Sequence, residues 1–231
     1  MVRVVESQEQ VATNRLVDDL HEQELLENLL EQTKPDLVHT KTSLHYLLRT
    51  PFRYPPLRHG SRFGKHTEPG LFYGSHTIST ALAETAYYRL LFWYGMSTPP
   101  ACGKFTTQHT VFATRYRTTS GLRLQAPPFN GYCEQLRHPA SYQATQALGH
   151  AMREHGIKAF ETISARDRKQ GINVGLFDVT ALSGNRPLYQ QAWLCETSAE
   201  QVSFLNTGDR QIHAYSLESF LYNGSLPDPA I

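Results

Sequence analysis

The sequence predicts an α+β domain in which a mixed, mostly antiparallel sheet is flanked by helices. Two observations carry that reading. Apolar runs of strand length outnumber helical ones, and they do not alternate strictly with helices as a doubly wound parallel sheet requires. The 231 residues are 40% apolar and 19% charged, which is enough for a sizeable core and argues against disorder.

The elements follow in order. Residues 1–42 read as a helical N-terminal extension. Leu16, Val17, Leu20, Leu25, Leu26, Leu29 and Leu30 recur in helical rhythm, and Pro35 closes the run. Residues 43–231 form the main domain. Its first stretch, LHYLLRTPFRYPPLRHGSRFGK (44–65), holds Pro51, Pro55 and Pro56, which argue against continuous regular structure. GLFYGS (70–75) reads as a short buried strand. Ser79 then caps the helix TALAETAYYRLLFWYG. Residues 104–118 alternate in part, as one long strand or a bent pair, and SYQATQALGHAMREHG (141–156) is a helix stopped by Gly156. IKAFETIS, NVGLFDV, QVSFLN and IHAYSL follow as strands.

Charge and cysteine usage exclude several classes. Twenty-two basic residues face 21 acidic ones without a long like-charge run, so neither nucleic acid nor a membrane is expected as a direct partner. The longest apolar run, LLFWYGM (90–96), is too short for a bilayer, and MVRVVESQEQ lacks the apolar core of a secretory signal. Three cysteines without zinc spacing fit a reducing cytoplasm.

Three motifs fail on their own terms. GSRFGK (60–65) has one residue too few between its glycines for a P-loop, and His66 stands where a magnesium-binding hydroxyl belongs. The histidines have no metal-ligand spacing, so no metal is expected. GSHTIS lacks the second glycine of a nucleophile elbow.

What survives is a set of polar residues in apolar settings. At about 100° per residue, Leu82, Ala86, Leu90 and Trp93 form one stripe of the helix, and Glu84 falls opposite, beside Tyr88 and Leu91. A carboxylate on such a helix is either a structural partner of an arginine or tyrosine, or a cleft residue that stabilises positive charge. Arg62 lies on a loop between Gly60 and Gly64, as a phosphate or carboxylate clamp or as a solvated loop arginine. Tyr73, at a strand end, can lay its ring on a flat ligand with its hydroxyl in water, or simply close the core. Ser164 and Arg166 sit where a strand turns, as polar anchors or as loop caps.

These residues resemble the RES domain, named for an arginine, a glutamate and a serine. The likeness lies in Gly60-Ser61-Arg62-Phe63, Leu71-Phe72-Tyr73, Thr80-Ala81-Leu82-Ala83-Glu84, and Ser164-Ala165-Arg166 ahead of Gly171 and the strand Asn173–Phe177. It covers about residues 45–180, and the positions 62, 73 and 84 are evenly spaced. The resemblance implies a RES-like catalytic domain over 43–231 with an ADP-ribosyltransferase-like fold. It further implies a toxin-like enzyme that cleaves the nicotinamide–ribose bond of NAD, as a glycohydrolase with water as acceptor or a phosphorylase with phosphate. Alternatives are an ADP-ribosyltransferase acting on protein, or a non-catalytic module that binds a nucleotide or a partner. NAD is then substrate, a helix-turn-helix antitoxin is the expected partner, and self-association stays open. Carried over by residue, Glu84 faces the ribose, Arg62 clamps the diphosphate and Tyr73 bounds the nicotinamide. Ser164 bonds the ribose or amide, and Arg166 is a second anion contact. The chain departs from the family pattern at Ser61, where a second glycine is usual, and in KHTEPG (65–70), an insertion that could cover the substrate.

Overall fold

A computed structural model describes residues 1–7, 17–33, 43–54 and 58–228. Its centre is one nine-stranded sheet. In chain order the strands are β1 (Val2–Glu6), β2 (Phe72–Ser75), β3 (Lys104–Ala113), β4 (Gly121–Arg123), β5 (Ala159–Ile163), β6 (Ile172–Leu176), β7 (Tyr189–Ser198), β8 (Gln201–Asn206) and β9 (Ile212–Ser216). Their spatial order is β4-β5-β6-β2-β1-β3-β7-β8-β9. Every pairing is antiparallel except β4 with β5. The helices are α1 (Leu20–Thr33), α2 (Tyr46–Arg53), α3 (Ile78–Tyr94), α4 (Cys133–Leu136) and α5 (Gln143–Glu154). The α+β class, the mixed and mostly antiparallel sheet and the flanking helices are therefore as the sequence predicts.

The N-terminus departs from the helical reading of residues 1–42. Val2–Glu6 is a strand in the middle of the sheet, registered along β3 from Val2 opposite Ala113 to Glu6 opposite His109. The β-branched Val2, Val4 and Val5 suit a pleated, two-sided position, and Val2 is buried. Leu20–Thr33 is helical, with Leu20, Leu25 and Leu29 exposed. Residues 8–16 and 34–42, which that reading also took in, lie outside the described residues.

β1 meets β2 at a single residue pair, Val2 opposite Ser75. The sheet thus consists of two ladders, β4-β5-β6-β2 and β1-β3-β7-β8-β9, joined at one narrow point. Helix α3 covers the second ladder. Leu82, Ala86, Tyr87 and Leu90 pack on Val111, Trp193, Cys195, Val202 and Phe204. Helix α5 closes the same face of the first ladder, where Met152 joins Phe63, Leu124 and Phe160. On the opposite face α2 buries Leu47 and Leu48 against Phe72, Phe112, Val174 and Leu176.

Two local details add to the sequence reading or correct it. The proline-rich stretch is not continuous regular structure among the described residues, but Tyr46–Arg53 within it form a short helix, α2, with Pro51 inside. Burial of Leu47 and Leu48 outweighs the backbone bond lost near the helix end. The cap of α3 is Thr77 rather than Ser79, its side chain accepting from the Thr80 amide at 3.2 Å. Among the described residues no helix is long and apolar enough to cross a membrane.

Candidate active site

Glu84 extends from the second turn of α3 toward the β5–β6 ladder, half-buried. Its Oε1 accepts two hydrogen bonds of 2.5 Å, from Ser164 Oγ and from Asn173 Nδ2. The direction of the serine proton is forced. Ser164 Oγ already accepts the amide N–H groups of Arg166 (3.1 Å) and Asp167 (2.9 Å), so its hydroxyl is left to donate to the carboxylate. Asn173 is fixed in turn by Ser75 Oγ, which donates to its Oδ1 at 2.7 Å and thereby orients the amide with its NH2 toward Glu84. Ser164 is fully buried. Both donors use Oε1, and no hydrogen bond among the described residues engages Oε2.

The turn after β5 is locked onto α3. Thr80 Oγ1 donates to Asp167 Oδ2 at 2.8 Å, and a Cβ at Gly171 would come within 2.0 Å of Thr80 Oγ1. Only glycine fits where the turn passes the helix start, so Gly171 sets the distance between Ser164 and Glu84.

Arg62 and Tyr73 belong to the loop and strand on the other side of the site. Gly60 has φ +74°, and the Ser61 amide donates to the Gly64 carbonyl at 2.7 Å, which makes a tight turn with Arg62 at its tip. Arg62 Nη1 donates to the carbonyls of His138 (2.9 Å) and Leu136 (3.4 Å), and its guanidinium lies 4.4 Å over the Tyr142 ring. The Tyr73 hydroxyl does not point into water. It accepts the Phe63 amide at 2.9 Å and meets Ser61 Oγ at 3.2 Å, which fixes the loop that carries Arg62. Burial pushes its pKa up to about 12, against the smaller lowering effect of those two bonds.

Arg166 is likewise committed. It is buried, with its guanidinium 3.4 Å over the Tyr87 ring and Nη2 donating to the Pro139 carbonyl (2.8 Å) and the Tyr142 hydroxyl (3.4 Å). Arg62 and Arg166 thus hold the segment Leu136–Pro139 from two sides, with Tyr142 between them. Tyr88, 46% exposed one turn beyond Glu84, stands within electrostatic reach of the Glu84 carboxylate and the Tyr142 hydroxyl.

The structure therefore brings Glu84 and Ser164 into direct contact. It links Arg62 to Arg166 through Tyr142 and places Tyr73 behind Arg62. Asn173, Tyr142 and Tyr88 were not among the sequence candidates. For Asn173 a signal existed, since it is the one polar side chain in the strand INVGL. The 65–70 insertion is anchored to α5. Glu68 accepts from the Lys65 amide (2.8 Å) and meets His150 Nδ1 (2.8 Å), while Arg153 donates to the Pro69 carbonyl (2.9 Å).

The arrangement is a carboxylate oriented by a serine and an amide close to the point where the two ladders meet, with tyrosines and arginines nearby. It can stabilise a cation or polarise a hydroxyl. The model of the RES domain matches residues 36–196, more than half of the chain, and the chain belongs to that family. No curated protein matches it.

Proposed function

We propose that this protein degrades NAD by cleaving the nicotinamide–ribose bond, as a toxin-like enzyme with an ADP-ribosyltransferase-like fold. Water or phosphate accepts the ADP-ribosyl unit, and a helix-turn-helix antitoxin is the partner. The observation that carries the reading is the Glu84 carboxylate, held by Ser164 and Asn173 on one oxygen and open on the other. Membership of the RES-domain family supports an activity on NAD.

Loss of nicotinamide leaves an oxocarbenium-like ribose, and a fixed carboxylate beside it lowers the barrier because it interacts more strongly with that cation than with the ground state. Glu84 Oε2 is the oxygen that faces the ribose. Ser164 and Asn173 keep the carboxylate from rotating, so no reorganisation is needed as charge develops. Nicotinamide departs as a neutral molecule from a cationic nucleotide, so its departure needs no proton from the protein. Arg62 and Tyr73 form the opposite wall. Tyr73 fixes the loop and Arg62 holds the 136–139 segment in place.

Incubating the purified protein with NAD and separating the products by chromatography tests the reading. Free nicotinamide is expected, with ADP-ribose as co-product in the absence of phosphate if water is the acceptor. An anomeric phosphate that forms only when phosphate is added marks the phosphorylase. No nicotinamide release under either condition refutes the proposal, and label retained on protein redirects it to ADP-ribosyl transfer.

A further inference from the structure

A cavity of about 310 Å³ opens one residue beyond Ser164, where Ala165 and Arg166 form part of its lining. Arg137 and His138 contribute from the segment that Arg62 and Arg166 hold, and Ser219 and Tyr222 close the far side. That far wall lies outside residues 36–196, the range that the RES-domain match covers. It is tied down by Arg168 Nη2, which donates to the Glu218 carbonyl at 2.9 Å.

The cavity is rich in donors. Arg137 Nε is buried without a hydrogen-bond partner, and none of the ion pairs among the described residues involves Arg137. His138 is fixed in one tautomer. Its Nδ1 accepts the amides of Ala140 (3.2 Å) and Ser141 (2.9 Å), which leaves Nε2 to carry the proton. That Nε2 lies 3.5 Å from the Tyr222 hydroxyl, at the edge of hydrogen-bonding range, so its N–H remains available. Glu134, which is exposed, is the one carboxylate in the lining. Arg166 already donates to a backbone carbonyl, and Arg62, whose Nη1 does the same while its Nη2 is unpartnered, does not line the cavity.

We infer that this cavity is a phosphate subsite, in which the Arg137 guanidinium and the His138 Nε2–H hold a phosphate group against the turn that follows Ser164. Guanidinium is the side chain best matched to phosphate oxygens, and that of Arg137 has no hydrogen bond or ion pair among the described residues to give up when an anion arrives. The phosphate is either part of the dinucleotide's diphosphate or a free phosphate. Its relation to bond cleavage rests on the NAD reading, whereas the anion site itself does not.

Calorimetric titration with ADP and, separately, with inorganic phosphate tests the site on wild type, Arg137→Gln, Arg137→Lys and Glu134→Gln. Arg137→Gln is expected to weaken binding about 10- to 100-fold, the range for a lost hydrogen bond to a charged group. Arg137→Lys retains part of the affinity, and Glu134→Gln tightens binding severalfold at an unchanged melting temperature. ADP binding that phosphate does not displace assigns the subsite to the diphosphate. Displacement by millimolar phosphate assigns it to free phosphate. Failure of both probes to bind wild type, or wild-type affinity in Arg137→Gln, overturns the inference. If the Arg137-dependent binding holds while NAD yields no nicotinamide, the subsite stands and the NAD reading falls. Cleavage with unchanged KM and unchanged ADP binding in Arg137→Gln has the opposite meaning.

Discussion

Replacing Glu84 by glutamine separates charge from shape. The amide is isosteric, and its carbonyl oxygen can still accept the bonds that Ser164 and Asn173 donate to Oε1. What disappears is the negative charge on the open side. Glu84 is half-buried, so an effective dielectric constant of about 20 is appropriate. A carboxylate about 4 Å from a developing unit positive charge then contributes about 4 kcal/mol. At about 1.4 kcal/mol per tenfold, kcat for nicotinamide release should fall about 10³-fold. KM should change little, because the interaction is made mainly in the transition state. The assay is initial-rate chromatography of nicotinamide, with a thermal melt of both proteins as the control for folding. A variant that melts as wild type and retains activity within about tenfold would falsify the role given to Glu84.

Two further outcomes follow from the fold. Deleting residues 1–7 removes β1, exposes the facing edges of β2 and β3 and uncovers Val111 and Ala113, which pack with Val2. A buried valine alone is worth about 1.5–3 kcal/mol, a large share of a domain's whole stability of about 5–15 kcal/mol, so the truncated chain should melt well below the full-length protein by circular dichroism. His109 is buried on β3, and desolvation followed by the nearby Arg89 lowers its pKa from 6.5 to about 4. With the folded pKa below the unfolded one, the unfolded state binds the extra proton. The stability linked to His109 is full above about pH 6.5 and is lost as pH falls toward 4, on the order of 3 kcal/mol in all. Urea titrations at pH 7 and pH 4.5 should show a smaller acid loss in His109→Gln than in wild type.

The local pattern of the chain determined most of the architecture. Short strand-length runs marked β2, β3, β5, β6, β8 and β9, and the apolar helix around Glu84 is α3. The five-residue β1 escaped because VRVVE is shorter than the helical rhythm that follows it, and because its value as a strand depends on Ala113 and Ser75, distant in sequence. In β7 the alternation was present, with Trp193, Cys195 and Thr197 buried, but glutamines at its start masked it. The site divides in the same way. Glu84 stood out as a charge on an apolar helix, and Ser164 as the polar end of a strand.

Tertiary structure alone decided what these groups do to one another. Ser164 reaches Glu84 across 80 residues of sequence because Gly171 lets a turn pass against Thr80. Arg62 and Arg166, which resemble anion clamps in sequence, spend donors on the carbonyls of His138 and Pro139, because buried backbone oxygens must be satisfied wherever the fold places them. Arg137, unremarked in the sequence, is the arginine left beside a cavity with its Nε unpartnered. A sequence specifies which side chains can donate or accept. Which donors remain open for a ligand depends on the acceptors that folding brings within reach, and those come from every part of the chain.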